Sequence, residues 1–157
     1  MKSVVKHAYL LLGFACTATR ADGQCQYEVT QLEYPIICAL GDVATSALGL
    51  NNHGVVVGSY KCAVWTHSEA YMWTSEGGYV ALPLPTGVCS SAAGDISDNG
   101  VIVGTFGGGC SVFRGFVYED GQYTELPPLQ GPYSWADSIN NAGLVVGCRT
   151  IRDSAAP

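Results

Sequence analysis

The stretch Gly94-Asp95-Ile96-Ser97-Asp98-Asn99-Gly100-Val101-Ile102-Val103-Gly104 decides the fold. It reads as strand, tight turn, strand. Polar side chains ahead of Gly100 bond their own backbone and so favour a turn, and glycine then takes a positive φ without a Cβ clash. The valine-rich run that follows suits a buried strand, and its closing glycine marks a bulge or a close backbone approach. The same order occurs at Ala47–Gly58 and again at Asp137–Gly147, with turn glycines Gly54, Gly100 and Gly143 spaced 46 and 43 residues apart. A period of about 20 to 50 residues marks a solenoid, propeller or array. The turn-forming pairs read as Asn51-Asn52, Asp98-Asn99 and Asn140-Asn141, so Asn51, Gly54, Asn99, Gly100, Asn140 and Gly143 are the expected turn residues.

Working outward, the period continues past each hairpin. Glu69-Ala70-Tyr71-Met72-Trp73 matches Arg114-Gly115-Phe116-Val117-Tyr118, and Tyr79-Val80-Ala81-Leu82-Pro83 matches Tyr123-Thr124-Glu125-Leu126-Pro127, with a glycine turn between each pair. One unit is therefore four short strands, a to d, and strand d ends at prolines that cannot donate to a ladder. Tyr27-Glu28-Val29-Thr30-Gln31-Leu32 matches strand d alone. The expected organisation is a lone d strand at 25–34, whole units at 44–85 and 91–130, and a half unit at 135–150, together one β repeat domain over 22–157. The fold class is all-β. Four-stranded antiparallel units stacked like β-propeller blades, about two and a half of them, fit a partial ring or a fragment, since one small twisted sheet cannot bury both its faces alone.

The order Tyr-x-Val-Thr-x-Leu, then Ile-Asn-Asn-x-Gly-x-Val-Val-Gly, then an aromatic-bearing strand, resembles the HAF-type extracellular repeat family of bacteria. The resemblance covers 27–147. It implies export and repetition, and no defined activity. The family's His-Ala-Phe triplet is replaced here by Glu69-Ala70-Tyr71 and Arg114-Gly115-Phe116, so no role of that histidine carries over.

Residues 1–21 read separately. Lys2 and Lys6 precede a short apolar run, Ala8 to Cys16, with Thr19 and Ala21 at the −3 and −1 positions of a cleavage after Ala21. This is the order of a secretory signal. The run is shorter than the ~20 residues that span a bilayer, and no other stretch is a candidate span. Removing residues 1–21 leaves four basic and 13 acidic side chains. That balance argues against nucleic acid, which needs clustered Lys and Arg. The expected location is exported: extracellular, cell surface or periplasmic.

Six cysteines follow the signal: Cys25, Cys38, Cys62, Cys89, Cys110 and Cys148. An even count in an exported chain favours disulfides, and no C-x-x-C spacing favours zinc. Cys38 and Cys89 occupy equivalent d–a loops, and Cys62 and Cys110 lie in or beside b–c loops. Cys38–Cys62 and Cys89–Cys110 are the pairs this recurrence favours, with Cys25 and Cys148 left over.

No catalytic constellation stands out. There is no G-x-S-x-G elbow. His53 sits in a turn, and His67 in a loop. Asp95-Ile96-Ser97-Asp98-Asn99-Gly100 opens like a calcium loop but meets Phe106 where the bidentate acid belongs. No cofactor is expected. Trp65 and Trp135 lie outside the strict repeat and are candidates for stacking on a ligand, beside a packing role. The sequence thus points to a non-enzymatic exported module with a binding or structural role, contacting protein or glycan, self-associating or belonging to a longer array. A fragment of a propeller-type glycan hydrolase and a calcium-dependent adhesive are the alternatives.

Overall fold

The computed structural model describes residues 9–10, 30–32, 43–62, 66–108, 112–127, 131 and 133–150. Trp65, Cys25, Cys38 and Cys110 lie outside them. The described residues hold strands and no helix: β1 (Tyr9–Leu10), β2 (Thr30–Gln31), β3 (Val43–Leu50), β4 (Val56–Cys62), β5 (Glu69–Thr74), β6 (Gly78–Ala81), β7 (Val88–Ile96), β8 (Ile102–Gly108), β9 (Val112–Glu119), β10 (Gln122–Glu125), β11 (Ser134–Ile139) and β12 (Val145–Arg149). The all-β class holds. β3 to β6 form one four-stranded meander, β7 to β10 a second, and β11–β12 a third, two-stranded sheet. Every pairing among the described residues is antiparallel.

The hairpins β3–β4, β7–β8 and β11–β12 share one construction. Asn51 Oδ1 accepts from the amides of His53 and Val55, both at 3.0 Å. Asn140 Oδ1 does the same for Ala142 and Leu144, at 3.0 and 2.9 Å. In the middle hairpin the corresponding acceptor is Ser97 Oγ, bonded by the Val101 amide at 3.2 Å. This corrects the middle turn pair: Ser97-Asp98, not Asp98-Asn99, stands where Asn51-Asn52 and Asn140-Asn141 stand. A serine hydroxyl accepts there as an Asn carboxamide does, so residue type alone hid the register. Asn99 occupies the next position, exposed on the turn. Gly54, Gly100 and Gly143 have φ of 75°, 84° and 78°, as the turn requires.

Each first strand carries a register shift at the same place, between Ala47 and Gly49, Ala93 and Asp95, and Ala136 and Ser138. Opposite each shift lies the glycine that closes the valine run. A Cβ on Gly58 would sit 1.8 Å from the Ser46 carbonyl oxygen, on Gly104 2.1 Å from that of Ala92, and on Gly147 1.9 Å from that of Trp135. The bulge brings partner backbone into the space a side chain would fill.

The first strand of each later sheet packs on the sheet before it. Ala93 and Ile96 of β7 join Val57, Ala70 and Leu82 of the first meander in one core, with Ile102, Phe106 and Phe116 completing it. Ala136 and Ile139 of β11 pack on Val103, Val117 and Leu126 of the second meander. A third cluster, Tyr60, Cys62 and Tyr71 with Trp73 and Tyr79, covers the other side of the first meander. The aromatic arrangement recurs. Tyr79 stacks on Tyr71 (4.5 Å) and meets Tyr60 edge-on (5.4 Å), as Tyr123 meets Phe116 (4.8 Å) and Phe106 (6.2 Å).

One expectation about the N-terminal region is corrected. The d strand expected to stand alone has a partner: Thr30–Gln31 pairs with Tyr9–Leu10, inside the segment read as a signal. Tyr9 lies opposite Gln31, as Tyr71 lies opposite Ala81 and Phe116 opposite Glu125. Each pair is followed by a leucine, Leu32, Leu82 or Leu126. The ribbon therefore has the register of a c–d hairpin.

Candidate binding surface

Polar side chains tie the three sheets together at two levels. At the hairpin tips, Asn52 donates from its amide and from Nδ2 to the Asp98 carboxylate, each at 2.8 Å. Asp98 in turn donates its amide to Asn141 Oδ1 at 2.8 Å and accepts from Asn141 Nδ2 at 2.6 Å. These donors, those of Asn52 first, hold the exposed Asp98 carboxyl below its usual range. Beneath them, Asn51 Nδ2 donates to the Ser97 carbonyl at 3.1 Å, and Asp95 Oδ2 accepts from Ser138 Oγ and the Ile139 amide at 2.5 and 3.0 Å. The acids read as the start of a calcium loop are thus occupied as acceptors between sheets. Among the described residues no group of three His, Cys, Asp or Glu side chains is placed to hold a metal ion.

Farther from the tips, hydroxyls do the same work. Ser91 Oγ accepts from the Ala70 amide at 2.9 Å, and Ser134 Oγ accepts from the Gly115 amide at 3.1 Å. Both hydroxyls lie nine positions before a turn glycine. The third residue at that offset is Thr45, whose buried Oγ1 has no hydrogen-bond partner. Thr45, Ser91 and Ser134 were not singled out from the sequence, and Asn52, Asp98 and Asn141 were read as turn formers rather than as links between sheets. The signal was present as two columns at fixed offsets from the glycine: Asn52, Asp98, Asn141 and Thr45, Ser91, Ser134.

A cleft of about 260 Å³ draws its lining from all three sheets: Leu48 and Ser68, then Ser90, Thr105 and Phe113, then Trp135 and Asp137. Ser68 and Ser90 face each other with their hydroxyls 3.2 Å apart. Trp135 stacks on Tyr133 at 6.2 Å, and Tyr133 lies 6.3 Å from Phe113, which is itself exposed. Of the two tryptophans considered for ligand stacking, Trp135 is therefore in an aromatic row at the cleft. A second, larger cleft of about 500 Å³, also bordered by Trp135, runs along β12 between Leu126, Val146 and Arg149. Aromatic faces beside hydroxyls offer a flat apolar platform with donors and acceptors at its rim, the combination that suits a sugar ring or a peptide.

Cys62 and Cys89 are disulfide-bonded, whereas Cys148 is free and exposed. Burial raises the phenol of Tyr71 to about 12. Burial likewise pushes up Tyr79, Tyr60 and Tyr123, Tyr60 also through its hydrogen bond to Glu69. These tyrosines are core groups, neutral throughout the physiological range. Among the described residues no helix is long and apolar enough to cross a membrane. Comparison with protein-family models, curated proteins and solved structures finds no match to this chain.

Proposed function

We propose that the chain is an exported repeat module, akin to the HAF-type extracellular repeats, whose sheets stand as propeller-like blades and bind a glycan or protein at the cell surface or beyond it. The observation that carries this reading is the use made of the polar side chains. Asn52, Asp98, Asn141, Asp95 and Ser91 are spent on joining one sheet to the next. The cleft crossing all three sheets is lined by aromatic faces and hydroxyls, with Asp137 the single carboxylate among the described residues that line it. That is a recognition surface on a rigid scaffold rather than an acid–base pair. Disulfide-bonded Cys62 and Cys89 support an oxidising compartment. The test is retention of the purified chain on insoluble chitin, cellulose and peptidoglycan, with and without Trp135→Ala. Retention that the substitution abolishes supports a glycan ligand. No retention on any of the three shifts the reading to a protein partner.

A second reading concerns only residues 1–21, and the register of Tyr9–Leu10 favours it. In the whole units, the residue just before the c-strand aromatic donates its amide to Ser91 or Ser134. The hydroxyl at the same offset in the first meander, Thr45 Oγ1, is the one of the three left unpartnered. On this reading Tyr9–Leu10 stays in the mature protein as a c strand. The mass of the secreted chain separates the two: a start at Asp22 supports the signal, and retention of Tyr9 supports the strand.

A further inference from the structure

Each sheet interface in this chain is built from the same two positions. An aliphatic residue four before the turn glycine, Ile96 or Ile139, packs on the sheet before it, in the same core as the valine three after that sheet's turn glycine, Val57 or Val103. Ile96 is 5% exposed, Ile139 8%, and Val57 and Val103 are both 0% exposed. The remaining members of the two sets break the pattern at opposite ends of the row. Leu50, equivalent to Ile96 and Ile139, is 46% exposed, and Val146, equivalent to Val57 and Val103, is 56% exposed. Leu144 beside Val146 is exposed too, although its counterparts Val55 and Val101 pack against the two cores.

The polar layer is open at the same two ends. Each tip donates its backbone amide forward to the side chain of the next: Asn52 to Asp98, and Asp98 to Asn141. The next donor in this series is the Asn141 amide, and the acceptor not yet used in it is the side-chain oxygen of Asn52. One end of the row thus presents Val146, Leu144 and the Asn141 amide, and the other presents Leu50 and the Asn52 carboxamide. The two ends are complementary by the rule that the chain already applies twice internally.

We propose that a second copy of this chain docks head to tail, seating its Leu50 on Val146 and accepting the Asn141 amide at its Asn52. The contact repeats the established sheet-to-sheet interface between chains. It is heterologous, so it either closes into a ring or runs on as a filament. Two copies bring six a–b hairpins among the described residues, three from each. That number falls within the roughly 4 to 8 units of closed propellers. The chains therefore close as a ring of two. Ring closure rests on the blade reading above, while the Leu50–Val146 contact rests only on the interfaces within the chain. Failure of the glycan test would leave both untouched.

Light scattering across a dilution series, under oxidising conditions, tests this with the unaltered chain, Leu50→Asp and Val146→Asp. Both side chains are exposed, so the variants keep the strand spectrum of the parent by circular dichroism. The expected result is twice the single-chain mass for the parent and single-chain mass for each variant alone. An equimolar mixture of the two variants regains association, because the intact Val146 of one meets the intact Leu50 of the other. A self-complementary contact predicts no such rescue. A monomeric parent, variants that remain paired, or a mixture that stays monomeric overturns the contact. A ladder of larger species overturns the ring.

Discussion

Asn52 and Asp98 stand 46 residues apart in sequence and are joined by two hydrogen bonds of 2.8 Å, one from the amide and one from the carboxamide of Asn52. Asp98 also takes a 2.6 Å bond from Asn141 Nδ2. One exposed carboxylate therefore collects donors from the sheets on both sides of its own. Its folded pKa is lowered, chiefly by Asn52. The sign follows: the stabilisation is fully present above the unfolded value, about 3.9, and is lost as pH falls through the lower folded value. Asp98→Ala is expected to lower the melting temperature at neutral pH and to remove that acid-dependent part. Asp98→Asn is expected to resemble it, because its NH2 would face the donors of Asn52 and Asn141. Melting curves from neutral pH to pH ~2 check both; an unchanged acid limb in Asp98→Ala would count against the ladder.

Gly104 is a position where a single methyl group is expected to do severe damage. A Cβ there would stand 2.1 Å from the Ala92 carbonyl oxygen and 2.9 Å from the Phe116 ring. The carbonyl belongs to a paired strand, so relief requires moving backbone rather than a side chain. Gly104→Ala is expected to cost about 3 kcal/mol or more, the upper range for overpacking a tight site. Gly100→Ala meets no atom within 4 Å but must hold φ near 84°, and about 1 kcal/mol is expected there. Urea unfolding midpoints rank the two, and equal losses would contradict the bulge geometry.

The hairpins, the closing glycines and the four-strand units were legible because each is a local pattern: an apolar run, a turn glycine, a polar acceptor before it. What stayed hidden was the relation between units. Ser97 accepts in the turn as Asn51 and Asn140 do, so matching by residue type displaced the middle pair by one position. Asp95 resembled a calcium ligand because sequence shows its neighbours and not the Ser138 hydroxyl and Ile139 amide that occupy it. Trp135 was noted as lying outside the strict repeat and as a candidate for ligand stacking; its row with Tyr133 and Phe113 joins two sheets, which the sequence does not show. The strand at Tyr9–Leu10 was masked by composition, since a short apolar run after lysines reads equally as a signal.

Tyr123 lies in the aromatic cluster of the second meander, 4.8 Å from Phe116, and its buried hydroxyl has no hydrogen-bond partner. Tyr79 repeats this in the first meander. A buried hydroxyl without a partner has been desolvated for no return. Tyr123→Phe is therefore expected to be neutral or stabilising, by up to about 1 kcal/mol. Phe116→Ala, in the same cluster and fully buried, is expected to lose about 3 to 5 kcal/mol to the cavity it leaves. Denaturant unfolding measures both, and a clear loss in Tyr123→Phe would reveal a partner for that hydroxyl.

Cys62 is fully buried, Cys89 is half-buried, and both are disulfide-bonded, while Cys148 is free and exposed. Cys62 ends strand β4 and Cys89 is the second residue of strand β7. The recurrence of cysteines at equivalent loops favours Cys38 as the partner of Cys62 and Cys110 as the partner of Cys89. Each link would close a loop of about 20 to 25 residues, which the chain-entropy description values at about 3 kcal/mol. Digestion without reductant is expected to yield a Cys38–Cys62 peptide and a Cys89–Cys110 peptide, and an alkylating reagent is expected to label Cys148 on the folded chain. Reduction should then lower the melting temperature, whereas loss of Cys148 through Cys148→Ser should leave it unchanged. A peptide joining Cys62 to Cys110 would mean that the link runs between units and not within them, and the equivalence of the two loops would no longer guide the pairing.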